Sequence, residues 1–160
     1  MAITYTPIAT QTLASTSTSV TFSSIAGTYT DLVLVTNGNT AANSNTYLQF
    51  NGDTSALYSN TRISSNGSAS SARTTGATKI NLDGFGFYTV AVTANKIISI
   101  QNYSNTTTHK TVLVRANSSS GTDAIVGLYR STAAITSLTF TSDSAMQIGS
   151  TFTLYGIKAA

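Results

Sequence analysis

His109 is the single histidine of the chain, set between Thr108 and Lys110. A lone imidazole is the first place to look for a general base or a metal ligand. No acid or second ligand stands near it in sequence, so an exposed turn residue is expected. The acids are Asp31, Asp53, Asp83, Asp123 and Asp143, each isolated, and there is no glutamate. Calcium needs several oxygens from closely spaced acids, and no D-x-D pair occurs. Glycosidase chemistry needs two carboxylates brought together. Isolated loop aspartates more often cap turns, which is the role expected of Asp53 and Asp123. No G-x-S-x-G elbow occurs among the many serines. Gly84-Phe85-Gly86-Phe87 is glycine-rich, but no helix follows to hold a phosphate, so a bend or bulge is expected there. With no cysteine, a disulfide framework and a thiolate metal site are both excluded. The expectation is a non-enzyme with no catalytic, cofactor-binding or metal-binding residues. Tyr58, Tyr103 and Tyr129 remain candidates for stacking on sugars or bases, against the more usual role of core and interface anchors.

The composition narrows the class further. Charged residues make up 8% of 160, against about 25% in ordinary soluble domains. About a third of the chain is Ser or Thr, so its surface must be solvated by hydroxyls and amides or covered by neighbours. Low charge removes a common guard against self-association, and a homo-oligomer is expected. The formal net charge is +3, but the basic residues Arg62, Arg73, Lys79, Lys96, Lys110, Arg115, Arg130 and Lys158 are scattered. Phosphate tracking needs a basic stripe, so solvated loop and edge charges are expected and no nucleic acid partner. The start, Met1-Ala2-Ile3-Thr4-Tyr5, lacks a basic stretch and an apolar core, so no signal peptide is expected. No apolar run approaches the length of a membrane helix, and no membrane partner is expected.

The elements that must carry any site are strands. Asp31-Leu32-Val33-Leu34-Val35 is a short apolar run. Thr46–Phe50 alternates, with Leu48 and Phe50 on one face, and stops at Asn51-Gly52-Asp53, the grammar of a strand entering a tight turn. The same grammar recurs at Val20 and Phe22, Ile80 and Leu82, Ile98 and Ile100, Val112 and Val114, Leu138 and Phe140, and Phe152 and Leu154. A strand is expected over 85–93, a single helical turn over 53–58, and exposed loops at 37–45, 66–76 and 118–122. Residues 124–130 read as buried on both faces. The expected fold is all-β: an antiparallel, jelly-roll-like sandwich of about ten strands. Residues 14–160 would form the sandwich. Residues 1–13, with the single proline Pro7, would be an extended arm or an edge strand.

Several stretches resemble small virion proteins of tailed bacteriophages, chiefly from aquatic environments. They are the opening residues 1–10, Gly27-Thr28-Tyr29-Thr30-Asp31-Leu32-Val33-Leu34, and Phe50-Asn51-Gly52-Asp53-Thr54 with Tyr58. Tyr103-Ser104-Asn105-Thr106-Thr107 followed by Lys110-Thr111 is similar too, as are residues 126–136 and 149–158. The likeness spans nearly the whole chain, as for a complete gene product, and departs most in the three loops. It implies a virion structural protein made in the host cytoplasm: a capsid decoration (cement) protein that binds and stabilises the outer shell. The alternative is a tail-fibre or tail-tip module binding host glycans. Decoration proteins of this kind commonly form trimers, so a homotrimer on the major capsid protein or another virion protein is expected. Tyr5, Ile8 and Leu13 are the expected assembly anchors.

Overall fold

The computed structural model describes residues 5–85, 88–90 and 92–158. Among them there are twelve strands and no helix: β1 (Tyr5–Thr12), β2 (Ser17–Phe22), β3 (Asp31–Gly38), β4 (Thr46–Phe50), β5 (Tyr58–Ser65), β6 (Ala69–Ala77), β7 (Ile80–Asn81), β8 (Ala94–Ile100), β9 (Lys110–Ser118), β10 (Gly121–Tyr129), β11 (Leu138–Met146) and β12 (Thr151–Ile157). All pairings are antiparallel, and they form two sheets. The larger runs β1-β12-β3-β8-β9-β10-β5-β6 and the smaller β2-β11-β4-β7.

The connectivity is nested. β1 pairs with β12, β2 with β11, β3 with β8 and β4 with β7. The first half of the chain therefore lies antiparallel to the second, like one long hairpin folded over itself. The hairpins β5–β6 and β9–β10 are additions that extend the larger sheet past β8.

Period-2 alternation drives the two layers together. Leu32 and Leu34 of β3, Ile98 and Ile100 of β8, Val112 and Val114 of β9, and Phe152 and Leu154 of β12 are fully buried on the inner face of the larger sheet. Leu48 and Phe50 of β4, and Leu138 and Phe140 of β11, join them in one core cluster. Phe140 reaches across, with ring centroids 5.3 Å from Phe152 and 5.9 Å from Tyr88. At one end Tyr58 stacks on Tyr129 at 4.7 Å, and Phe50 lies 5.5 Å from Tyr129.

Several local expectations are corrected. Residues 53–58 form no helical turn. Asn51 (φ 53°) and Gly52 (φ 64°) both take left-handed backbone, and the Asp53 N–H donates to the Phe50 carbonyl at 2.9 Å. Asp53 Oδ1 then accepts from the Ser55 N–H at 2.8 Å, a local bond that competes with helix. Most of 66–76 is not loop but β6, because its polar side chains can stand exposed on an edge strand. The loop at 118–122 shrinks to a tight turn between β9 and β10. Residues 124–130 are not buried on both faces: Ala124 and Val126 stand exposed, alternating with buried Asp123, Ile125 and Gly127. The strand expected over 85–93 falls partly on residues 86, 87 and 91, outside the described set. Its described remainder is irregular except for an isolated bridge from Tyr88 to Ser44.

Phe140→Ala empties the contact between the layers and is expected to cost about 3–5 kcal/mol, read as a lower denaturant midpoint at unchanged slope. Thr75→Ala on exposed β6 should stay within about 0.5 kcal/mol in the same titration.

Candidate functional site

Charge is scarce in this chain, yet some of it is buried. On the inner face of the larger sheet, one register row reads Phe152, Thr36, Lys96, Ala116, Asp123, Ser64. Lys96 shares the inward parity of Ile98 and Ile100, and its side chain is fully buried. Asp83, just past β7 of the smaller sheet, is fully buried too, and its Oδ1 is in direct contact with Lys96 Nζ. Asp83 Oδ2 accepts two hydrogen bonds from Thr46, from the backbone N–H and from the hydroxyl at 2.6 Å. Burial pushes the Asp83 carboxyl above its ordinary value; the neighbouring ammonium and the Thr46 donors oppose that shift. The Tyr88 ring lies 5.2 Å from Lys96 Nζ, and its hydroxyl donates to Thr36 Oγ1 at 2.6 Å.

The segment carrying Asp83 is pinned on every side. The Leu82 N–H donates to the Thr46 carbonyl at 3.0 Å, and the Asp83 N–H to Asn81 Oδ1 at 2.8 Å. Arg62 Nη1 donates to the Asp83 carbonyl at 2.9 Å. Asp123 accepts from the Gly84 N–H at 2.8 Å and the Phe85 N–H at 2.9 Å. A Cβ on Gly84 would collide with Ser64 Oγ and lie 2.6 Å from Asp123 Oδ1. Glycine here therefore reflects close approach.

The remaining candidates lie apart. His109 is exposed. Asp53 caps its turn, as expected, and accepts from the Tyr129 hydroxyl at 2.8 Å; the Ser55 and Tyr129 bonds hold its carboxyl below the ordinary value. Asp123 caps not its own loop but a different segment. Asp31 accepts from the Asn102 N–H at 2.7 Å. Asp143 accepts from the Tyr47 hydroxyl at 2.7 Å; burial first, and Asp143 next, push that phenol up to about 12. Tyr58, Tyr103 and Tyr129 are interior, at 0%, 0% and 2% exposure, so they present no ring to a sugar or base. Lys110 is buried as well, its Nζ donating to the carbonyls of Thr108 (2.7 Å) and Thr132 (3.3 Å). The expectation that the cations are solvated loop and edge charges is thus overturned for Lys96 and Lys110, and the aspartates Asp83 and Asp123 are buried with them. Among the described residues no cluster of three or more His, Cys, Asp or Glu is placed to hold a metal.

Of the expected anchors, Ile8 and Leu13 pack partly buried against their own core. Tyr5 is 54% exposed and meets Tyr155 edge-on at 6.2 Å. Residues 5–12 pair with β12 of the same chain, with a bulge between Pro7 and Ala9.

The two outer faces differ in kind. That of the smaller sheet is polar: Thr21 and Thr139 share a hydrogen bond at 3.0 Å beside Gln49, and Tyr47 lies under Lys79 Nζ at 3.6 Å. That of the larger sheet carries an apolar group among polar residues. One row reads Val35, Ile97, Arg115, Ala124, Ile63, Ser71. The next reads Val33, Ser99, Leu113, Val126, Thr61, Arg73. Ile63, Val126 and Leu113 are 63%, 51% and 43% exposed, and Arg115 and Arg73 stand at opposite corners of this group.

Asp123→Ala strands two backbone donors and should lower stability by about 2–4 kcal/mol in chemical denaturation. Asp53 is bound more tightly as a carboxylate in the fold, so its contribution is present above the ordinary value of 3.8 and is lost as pH falls through the lower folded value. The stability gap between wild type and Asp53→Asn should therefore shrink on acidification, read as converging urea midpoints. Compared with protein-family models, curated proteins and solved structures, the chain matches none.

Proposed function

We propose that this chain is a structural protein of a bacteriophage virion, a decoration protein that docks on the outer capsid surface and assembles as a homotrimer. The observation that carries the reading is the asymmetry of the outer faces. Exposed Ile63, Val126 and Leu113 form a contiguous apolar group on one sheet, while the other sheet is coated with hydroxyls and amides. A grouped apolar patch marks an interaction surface in a way that scattered apolar residues do not. Arg115 and Arg73, about 16 Å apart on strand spacing and residue rise, suit a partner surface that is apolar at its centre with carboxylates at its rim. The sequence likeness to phage virion proteins supports the same reading. The nested strand order supports a jelly-roll-like wrapping, with β5–β6 and β9–β10 as insertions that enlarge the docking sheet.

The role asked of residues near the N-terminus is narrower than an arm that reaches outward. Ile8 and Leu13 serve their own core, which leaves Tyr5 as the exposed contact of that edge.

Two measurements test the proposal. Antibody labelling of purified particles should find the protein on the capsid exterior; finding it only in infected-cell lysate overturns the assignment. Ile63→Ser with Val126→Ser should lower the particle-bound fraction at least tenfold, as should Arg115→Glu, with unfolding midpoints within about 1 kcal/mol of wild type because all three side chains are exposed.

A further inference from the structure

We propose that Lys96 and Asp83 become joined by an intramolecular isopeptide bond, Nζ to Cγ, in the folded protein. The two side chains are in direct contact, and neither has any exposed surface. Two charges held away from water are costly. Transfer of one proton from the ammonium to the carboxylate turns them into a neutral amine and a carboxylic acid. Burial pulls the Asp83 carboxyl upward, toward its protonated form. A neutral amine beside a carboxylic acid, in a site without bulk water, is the reactive pair for amide formation.

The surroundings are arranged for the step. Asp83 Oδ1 faces Lys96 Nζ, and Oδ2 faces away, toward two donors on Thr46. When the Nζ lone pair adds to Cγ, the carbonyl electrons move onto Oδ2. The Thr46 N–H and hydroxyl receive that developing charge, as an oxyanion hole does. The protonated Oδ1 takes a second proton from Nζ and leaves as water, and the Cγ–Oδ2 double bond re-forms. One amine and one acid give one amide and one water, with no oxidant and no added reactant. The bonds to the Leu82 N–H, the Asp83 N–H and the Asp83 carbonyl keep the carboxyl in place throughout. Lys96 belongs to β8 of the larger sheet, and Asp83 follows β7 of the smaller. The bond would therefore tie the two layers together covalently, in a chain with no cysteine to do so.

Mass spectrometry of the full-length folded protein decides the matter. Trypsin cuts an unbonded chain after Lys79, Lys96 and Lys110, releasing 80–96 and 97–110 as separate peptides. With Lys96 acylated, that cut is blocked. The expected product is a single 80–110 peptide, lighter than its sequence by one water, with fragment ions locating the loss between Asp83 and Lys96. Asp83-Gly84 can also lose water as a backbone succinimide, but that product leaves the Lys96 cut intact and survives Lys96→Arg. Asp83→Ala removes the acceptor carbon and the carboxylate that takes the Lys96 proton, so it should release 80–96 and 97–110 separately, each at full mass. Recovery of 80–96 at full mass as the dominant peptide from the folded wild type overturns the proposal, whatever the variants do.

Discussion

Moving a carboxylate and an ammonium out of water costs several kcal/mol for each ion, recovered only when the two meet with good geometry and further donors. Asp83 and Lys96 are in that position, and much around them follows from it. Thr46 must give both its donors to the free oxygen. The segment after β7 must run where Arg62, Asn81 and Asp123 can hold its backbone. Gly84 must lack a side chain so that Asp123 and Ser64 can approach. Tyr88 lies over the ammonium and is itself held by Thr36. One charge pair thus sets the path of a segment that has little regular structure of its own.

Most of the scaffold was legible from alternation. Leu48 and Phe50, Ile98 and Ile100, Val112 and Val114, and Phe152 and Leu154 face inward as their spacing predicts. The buried charges were legible by the same rule and were missed. Lys96 has the parity of Ile98, Lys110 that of Val112, and Asp123 that of Ile125. Taking each cation for a solvated one, and Asp123 for the cap of a turn, hid the row. The Asp83–Lys96 partnership itself was not readable, because it depends on how the chain passes from β7 in the smaller sheet to β8 in the larger. β6 was missed for a different reason: an edge strand exposed on both faces has no hydrophobic rhythm, so nothing but pairing distinguishes it from loop.

The insertions explain why the two outer faces differ. β9, β10 and β5 widen the larger sheet beyond the span of the smaller one. The inner faces of β5 and β10 meet β7 and the segment after it, while the outer faces of these strands carry Leu113, Val126 and Ile63. The same strands bury one polar row, Ala116, Asp123 and Ser64, among the apolar residues of their inner face, and present exposed apolar side chains on the outer one.

The nesting of the strands has a consequence for synthesis. β12 fills the slot between β1 and β3, and β11 the slot between β2 and β4. While the ribosome is still making the second half of the chain, the first four strands have vacant slots between them and no way to close either layer. Pairing at the centre of both layers must await β11 and β12, the kind of non-local pairing that slows folding.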